Sequence, residues 1–157
     1  MTASLRPLTL ADLPRVLELE RELFGEGAWS QWMLREELTG PHRFYVALTV
    51  PSRDASDGLL VGYAGTWFDG QDAQVMTIGV ASDHQGSGFG RMLLEALLEH
   101  ERARGTEQVF LEVRVDNDVA IGMYERAGFV RLGLRRRYYQ PENVDALTMR
   151  LVLRGER

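Results

Sequence analysis

Gly86, Gly88 and Gly90 fall within five residues of "QGSGFGRMLLEALL", directly ahead of a helical pattern of leucines. Glycine is costly inside regular structure and useful where a backbone must bend or approach another group closely. The first N–H groups of a helix are unpaired and carry partial positive charge, so a glycine-rich helix start can cradle a phosphate. The bland alternative is a tight turn with no ligand. Further along, Glu112 sits among Phe110, Leu111, Val113 and Val115. A carboxylate in so apolar a strand is costly unless it is paired or functional. Alternation puts it on the face of Phe110 and Arg114, so a Glu112–Arg114 pair is the structural alternative to a general base. Tyr124 follows Asn117 by seven residues, two helical turns, so both can point at one groove. Its phenol could donate a proton, or it could be a core tyrosine with a satisfied hydroxyl.

The residue inventory closes off several other chemistries. The chain of 157 residues has no cysteine, and all 18 of its basic residues are arginine. Disulfides, thiolate metal sites and cysteine nucleophiles are excluded, as are Schiff-base and P-loop lysines. The glycines read G-x-G-x-G, which is not the G-x-G-x-x-G of dinucleotide-binding folds. Gln85, not glycine, stands two residues before Ser87, so Ser87 is no nucleophile elbow. Three scattered histidines give no metal-ligand spacing, and no metal is expected. A net charge of -5 argues against a nucleic-acid partner, despite the arginines and tyrosines of "RLGLRRRYY". That charge suits plain solubility or a basic peptide partner. No apolar run reaches the roughly 20 residues of a membrane helix, and the first residues lack a secretory signal. No membrane association and cytoplasmic residence are the expectations.

The elements that must position these groups follow from periodicity and punctuation. Leu5–Leu8 reads as a short strand. Leu13, Val16, Leu17, Leu23 and Phe24 mark one face of a first helix, with Pro14 tolerated in its first turn and Gly25 and Gly27 breaking it. Ser30 can cap a second helix that Gly40 ends. "RFYVALTV" and "LLVGYAGTWF" read as an antiparallel pair around a polar turn, and "AQVMTIGV" as an apolar strand. A helix over about Ser87 to Arg104 follows the glycine loop and closes at Gly105. "QVFLEVRV", a short helix through Tyr124 closed by Gly128, "FVRLGLRRRYY" and "ALTMRLVL" complete the chain. The order β-α-α-β-β-β-α-β-α-β-β predicts one α/β domain over 1–157, a sheet with helices on both faces.

From Val80 to Gly90, "VASDHQGSGFG" resembles the Q/R-x-x-G-x-G/A signature of the GNAT superfamily of N-acetyltransferases. The element order is similar to that fold across essentially the whole chain. The resemblance implies a mixed, mostly antiparallel central sheet splayed between strands 4 and 5. It also implies that acetyl-CoA binds through Gln85, Gly86, Ser87, Gly88, Phe89, Gly90 and Arg91, with its arm beside Ile78, Gly79 and Val80. The second half resembles the RimI-type branch, which acetylates the N-terminal alanine of a ribosomal protein. The residues concerned are L-E-V-R at Leu111–Arg114, N-x-x-A at Asn117–Ala120 and Y-x-x-x-G-F at Tyr124–Phe129. "RRRYY" at Arg135–Tyr139 and Trp29-Ser30 resemble that branch as well. Two departures stand out: Gly79 replaces a common alanine, and Gly86-Ser87 replaces a basic-polar pair, so Arg91 is left to supply a basic contact.

The implied chemistry fits these residues. The acceptor amine must be neutral to attack a thioester. An α-amine has a pKa of about 8 and is already neutral in roughly a tenth of molecules at pH 7. Glu112 can take the remaining proton, directly or through water. Tyr124, protonated at neutral pH, can give one to the departing thiolate. By resemblance, the N–H near Val80 receives the developing oxyanion, Asn117 contributes to cofactor binding, and Tyr138 and Tyr139 line the acceptor groove. The implied partner is a small-subunit ribosomal protein with a basic N-terminal segment, acted on by a monomer or weak dimer. A small-molecule or lysine acetyltransferase of the same fold, and a non-catalytic acyl-CoA-binding protein, are the competing readings.

Overall fold

The computed structural model describes residues 2–140 and 142–154. Its elements are β1 (Ser4–Pro7), α1 (Leu13–Phe24), α2 (Gln31–Thr39), β2 (Arg43–Val50), β3 (Leu59–Phe68) and β4 (Ala73–Val80). They continue with α3 (Phe89–Arg104), β5 (Gln108–Arg114), α4 (Asp118–Arg126), β6 (Val130–Tyr139) and β7 (Val144–Val152). The strands form one sheet in the order β1-β2-β3-β4-β5-β7-β6. Every pairing is antiparallel except that of β4 with β5. That parallel contact covers only Ala73–Val109 and Gln74–Phe110. Beyond it β4 and β5 part, which is the expected splay.

Register fixes which side chains share a face. Phe110 pairs with Gln74, Gln74 with Trp67, and Trp67 alternates to Gly65 and Tyr63 on β3. Glu112 and Tyr63 therefore lie on the same face. Helix α1 packs there, with Glu20 against Tyr63, and α2 with them, where the Tyr45 hydroxyl donates to Glu37 at 2.7 Å. On the opposite face, Thr66 donates to Glu101 of α3 at 2.7 Å. Helix α4 sits beside α3 there, a Cβ on Gly90 coming within 3.3 Å of Met123. Each face is thus roofed by two helices.

Burial explains the helices and corrects one boundary. Leu93, Leu94, Leu97 and Leu98 of α3 are all buried, each worth about 1.5–3 kcal/mol of transfer free energy. Helix α3 starts at Phe89 rather than Ser87, because Gly88 adopts φ +84, outside the helical region. Ser30 caps α2 as expected, accepting the Met33 N–H at 3.2 Å. The buried face of α1 is Leu13, Val16, Leu19 and Glu20, while Phe24 stays 43% exposed. A carboxylate buried in that stripe was not expected from the apolar pattern.

Candidate active site at the strand splay

The open end of β4 carries the first part of the site. Ala81 donates to the Val61 carbonyl at 2.8 Å, so Val61–Ala81 and Tyr63–Gly79 are hydrogen-bonded pairs with β3. Ile78 and Val80, at the alternate positions, turn their N–H and C=O away from β3. Strand β5 has already diverged, so these groups face the gap. The Val80 carbonyl is taken by the Gln85 side-chain amide at 3.0 Å, which ties the glycine loop to the strand end. The Val80 N–H keeps its direction into the gap.

The glycine loop then turns onto the α3 face. Gly86 and Gly88 adopt φ +82 and φ +84, and a Cβ built on either would project into open space. A side chain there is opposed by backbone conformation, and the space beside the loop is free. The first helical N–H to bond back is that of Met92, to Gly88 at 3.0 Å, so the N–H groups of Phe89, Gly90 and Arg91 have no acceptor among the described residues. No acidic residue occupies the first turn of α3. Arg91 is exposed and pairs with Glu95 at 2.9 Å. Unpaired donors, helix dipole and clear space together suit a phosphate group.

Tyr124 and Glu112 lie on opposite faces of the sheet. The Tyr124 ring is buried on the α4 side, edge-on to Phe129 at 5.7 Å. Burial raises its pKa, with Tyr139 adding to the effect. Among the described residues, only Asp72 Oδ1 and Arg150 Nε are sealed side-chain polar atoms without a partner. The Tyr124 hydroxyl is not among these sealed atoms, and it has no hydrogen-bond partner among the described residues. Glu112 is held on the other face by the Thr148 hydroxyl at 2.7 Å and by Arg135 at 3.3 Å. Tyr139 stands near both, half-buried. Its phenol is pushed up to about 12 by burial, then by Tyr138 and by the Glu112 charge.

Several sequence expectations are sharpened by this arrangement. The Glu112–Arg114 pair does not form: Arg114 binds Asp116 at 3.0 Å and Glu142 at 3.1 Å instead. Asn117 caps α4 by accepting the Ala120 N–H at 3.1 Å, so its side-chain carbonyl is already engaged. Tyr138 is 41% exposed and lies under Arg135, whereas Tyr139 reaches inward. A two-residue irregularity in β6 between Arg135 and Tyr139, with Arg137 at φ +54, turns the pair of tyrosines. The Gly79 departure has a packing cause. A Cβ there would lie 2.7 Å from Cζ of Tyr63, whose ring occupies that place. Thr148 and Arg135 were missed as partners of Glu112, because cross-strand neighbours leave no mark in local spacing. A separate hollow lined by Glu107, Gln108, Arg150, Val152 and Arg154 lies at the other end of β5 and holds none of these groups. No cluster of His, Cys, Asp and Glu among the described residues could hold a metal.

Comparison with known proteins bears on the whole arrangement. The family described as "Acetyltransferase (GNAT) family" matches residues 13–129. The chain is 45% identical to N-alpha-acetyltransferase RimI of Mycobacterium tuberculosis, over 96% of each sequence. It superposes with TM-score 0.86 on the crystal structure of the ribosomal-protein-S18-alanine N-acetyltransferase from Escherichia coli, at 29% identity, covering 99% of this chain and 96% of that one. Arabidopsis thaliana NAA60 in complex with acetyl-CoA shares the fold alone, with TM-score 0.86 and 19% identity over 98% of this chain and 100% of that one.

Proposed function

The chain belongs to the acetyltransferase (GNAT) family, and we propose that it moves an acetyl group from acetyl-CoA to the α-amine of an N-terminal alanine on a ribosomal protein of the bS18 kind. The observation that carries this reading is the pairing of two proton-handling groups across a gap in the sheet. Glu112 lies on the α1–α2 face and Tyr124 belongs to α4 on the opposite one, and in this reading the Val80 N–H, unpaired with β3, lies between them. An acceptor entering on one face and a thioester on the other would meet there. The relatives whose names specify S18-alanine acetylation agree with that acceptor.

The residues fit acetyl-CoA. Free N–H groups at Phe89, Gly90 and Arg91, with Gly86, Ser87 and Gly88 leaving space before them, would hold the pyrophosphate. Gln85 fixes the loop from behind, through the Val80 carbonyl. Ile78, Gly79 and Val80 would carry the pantetheine arm along β4, and the side-chain N–H groups of Asn117 remain for a contact. Bound, acetyl-CoA supplies an activated acetyl thioester. Glu112, oriented by Thr148 and Arg135, takes the proton from the α-ammonium. The Val80 N–H stabilises negative charge on the acetyl oxygen. Tyr124, kept protonated by burial, donates to the departing sulfur. Tyr138 and Tyr139 form a wall of the acceptor groove. Direct transfer needs no covalent enzyme intermediate, consistent with a chain that lacks cysteine.

Release of free CoA thiol, followed with and without an alanine-initiated peptide, tests the proposal. Peptide-dependent release is expected. Release driven by polyamines or other small amines, and not by the peptide, would place the protein with the small-molecule enzymes of this fold.

A further inference from the structure

Glu20 is the buried carboxyl that the mechanism leaves unused. It is 1% exposed, in the middle of the apolar face of α1. An isosteric apolar residue would fill the same space without a desolvation cost. What Glu20 does instead is accept two donors from two different segments. The Trp29 N–H donates to Oε1 at 2.8 Å, and the Tyr63 hydroxyl donates to Oε2. Trp29 belongs to the α1–α2 connection. Tyr63 belongs to β3, and its ring fills the place of a Gly79 side chain at the splay end of β4. A second bond ties the same helix to the exit of β4, where Ser82 N–H donates to Glu22 at 2.8 Å.

These segments border the acceptor side. Tyr63 and Glu112 share a face, as the register requires. The α1–α2 connection meets the β6–β7 turn there: a Cβ on Gly27 would come within 3.9 Å of the Gln140 carbonyl oxygen. The α1–α2 connection, which Glu20 holds at Trp29, and the end of β4, which Tyr63 covers, thus lie on the face that carries Glu112. Burial raises the Glu20 pKa, and burial and the neighbouring Glu20 raise that of Tyr63, so the phenol keeps its proton and stays a donor to the carboxyl.

We propose that Glu20 is a positioning residue for the acceptor: by holding the Trp29 N–H and the Tyr63 hydroxyl together it fixes the α1–α2 connection against the end of β4 and sets the acceptor entrance. This rests on the acetyltransferase reading above and adds a determinant of acceptor binding to it. The test uses Tyr63→Phe, which removes one hydroxyl, together with Glu20→Ala and Glu20→Gln. Michaelis constants for an alanine-initiated peptide and for acetyl-CoA are measured separately. Tyr63→Phe and Glu20→Ala should raise the peptide KM about tenfold or more and leave the acetyl-CoA KM within about twofold. Glu20→Gln, which keeps one acceptor oxygen, should fall between them and wild type. Equal changes in both constants, or none, would overturn the proposal. Hydrogen exchange on the substrate-free protein provides an independent arm. Tyr63→Phe should speed exchange at Trp29 and across residues 77–80 together, and opening at one segment alone would contradict the coupling. Wild-type protein that leaves the peptide unmodified would count against the acceptor reading, while the exchange result would still decide the coupling.

Discussion

The Tyr124 ring is buried, its hydroxyl has no hydrogen-bond partner among the described residues, and burial, then Tyr139, raises its pKa. The sign has a kinetic consequence. A donor whose pKa lies above the ordinary phenol value of about 10 stays protonated through neutral and mildly alkaline pH. The kcat profile should therefore show no fall from this group below about pH 10, and Tyr139, pushed up to about 12, adds none. Tyr124→Phe should lower kcat by about 10²–10⁴-fold and keep acetyl-CoA affinity, as expected for loss of a general acid. A kcat within threefold of wild type would remove the hydroxyl from the chemistry. At this scale the sequence was informative about faces and silent about partners. Alternation placed Glu112 with Arg114, and they do share a face. Yet the bonds come from Thr148 on β7 and Arg135 on β6, which pairing alone brings near.

The glycine loop and the end of β4 act as one element, and their glycines differ in purpose. Gly88 holds φ +84 beside open space. Gly88→Val should cost about 1–2 kcal/mol of backbone strain and fill the region before the α3 donors. Calorimetry should show CoA binding weakened, and unchanged affinity would detach the phosphate from this loop. Gly79 serves packing instead. Gly79→Ala would set a methyl 2.7 Å from Cζ of Tyr63, an overpacking cost of about 1–3 kcal/mol. A lowered Tm is the expected outcome, with a smaller loss when Gly79→Ala is added to a Tyr63→Leu background than when it is added to wild type. Element order and type were legible because each strand and helix is bounded by strong turn or cap residues such as Ser30, Gly40, Gly105 and Gly128. The start of α3 was misplaced by two residues, since φ at Gly88 is a property of the folded loop. Gly79 looked like a departure from the family pattern because the ring that demands it comes from a strand 16 residues earlier in the sequence.

At the scale of the whole molecule, the splay divides the labour between faces. Helices α3 and α4 bring the glycine loop and Tyr124 to one side, while α1 and α2 share the other with Glu112 and Tyr63. Closing the gap with continued β4–β5 pairing would bury the Val80 N–H in a ladder and separate the two faces. The splay itself was foreseen from family resemblance and not from periodicity, because a break in pairing between two regular strands leaves each strand's own pattern intact. The proposed preference for an α-amine acceptor rests on amine basicity. An α-amine is neutral in roughly a tenth of molecules at pH 7, whereas a lysine ε-amine, with pKa near 10.4, is neutral in well under about 1%. One carboxylate held by Arg135 and Thr148 suits the easier deprotonation. The most direct measurement is mass spectrometry of two peptides incubated with the protein and acetyl-CoA. One is alanine-initiated with a free terminus, and the other is its N-terminally blocked, lysine-containing analogue. The account predicts one added acetyl group on the α-amine of the first peptide and none on the second. Equal acetylation of both would contradict it.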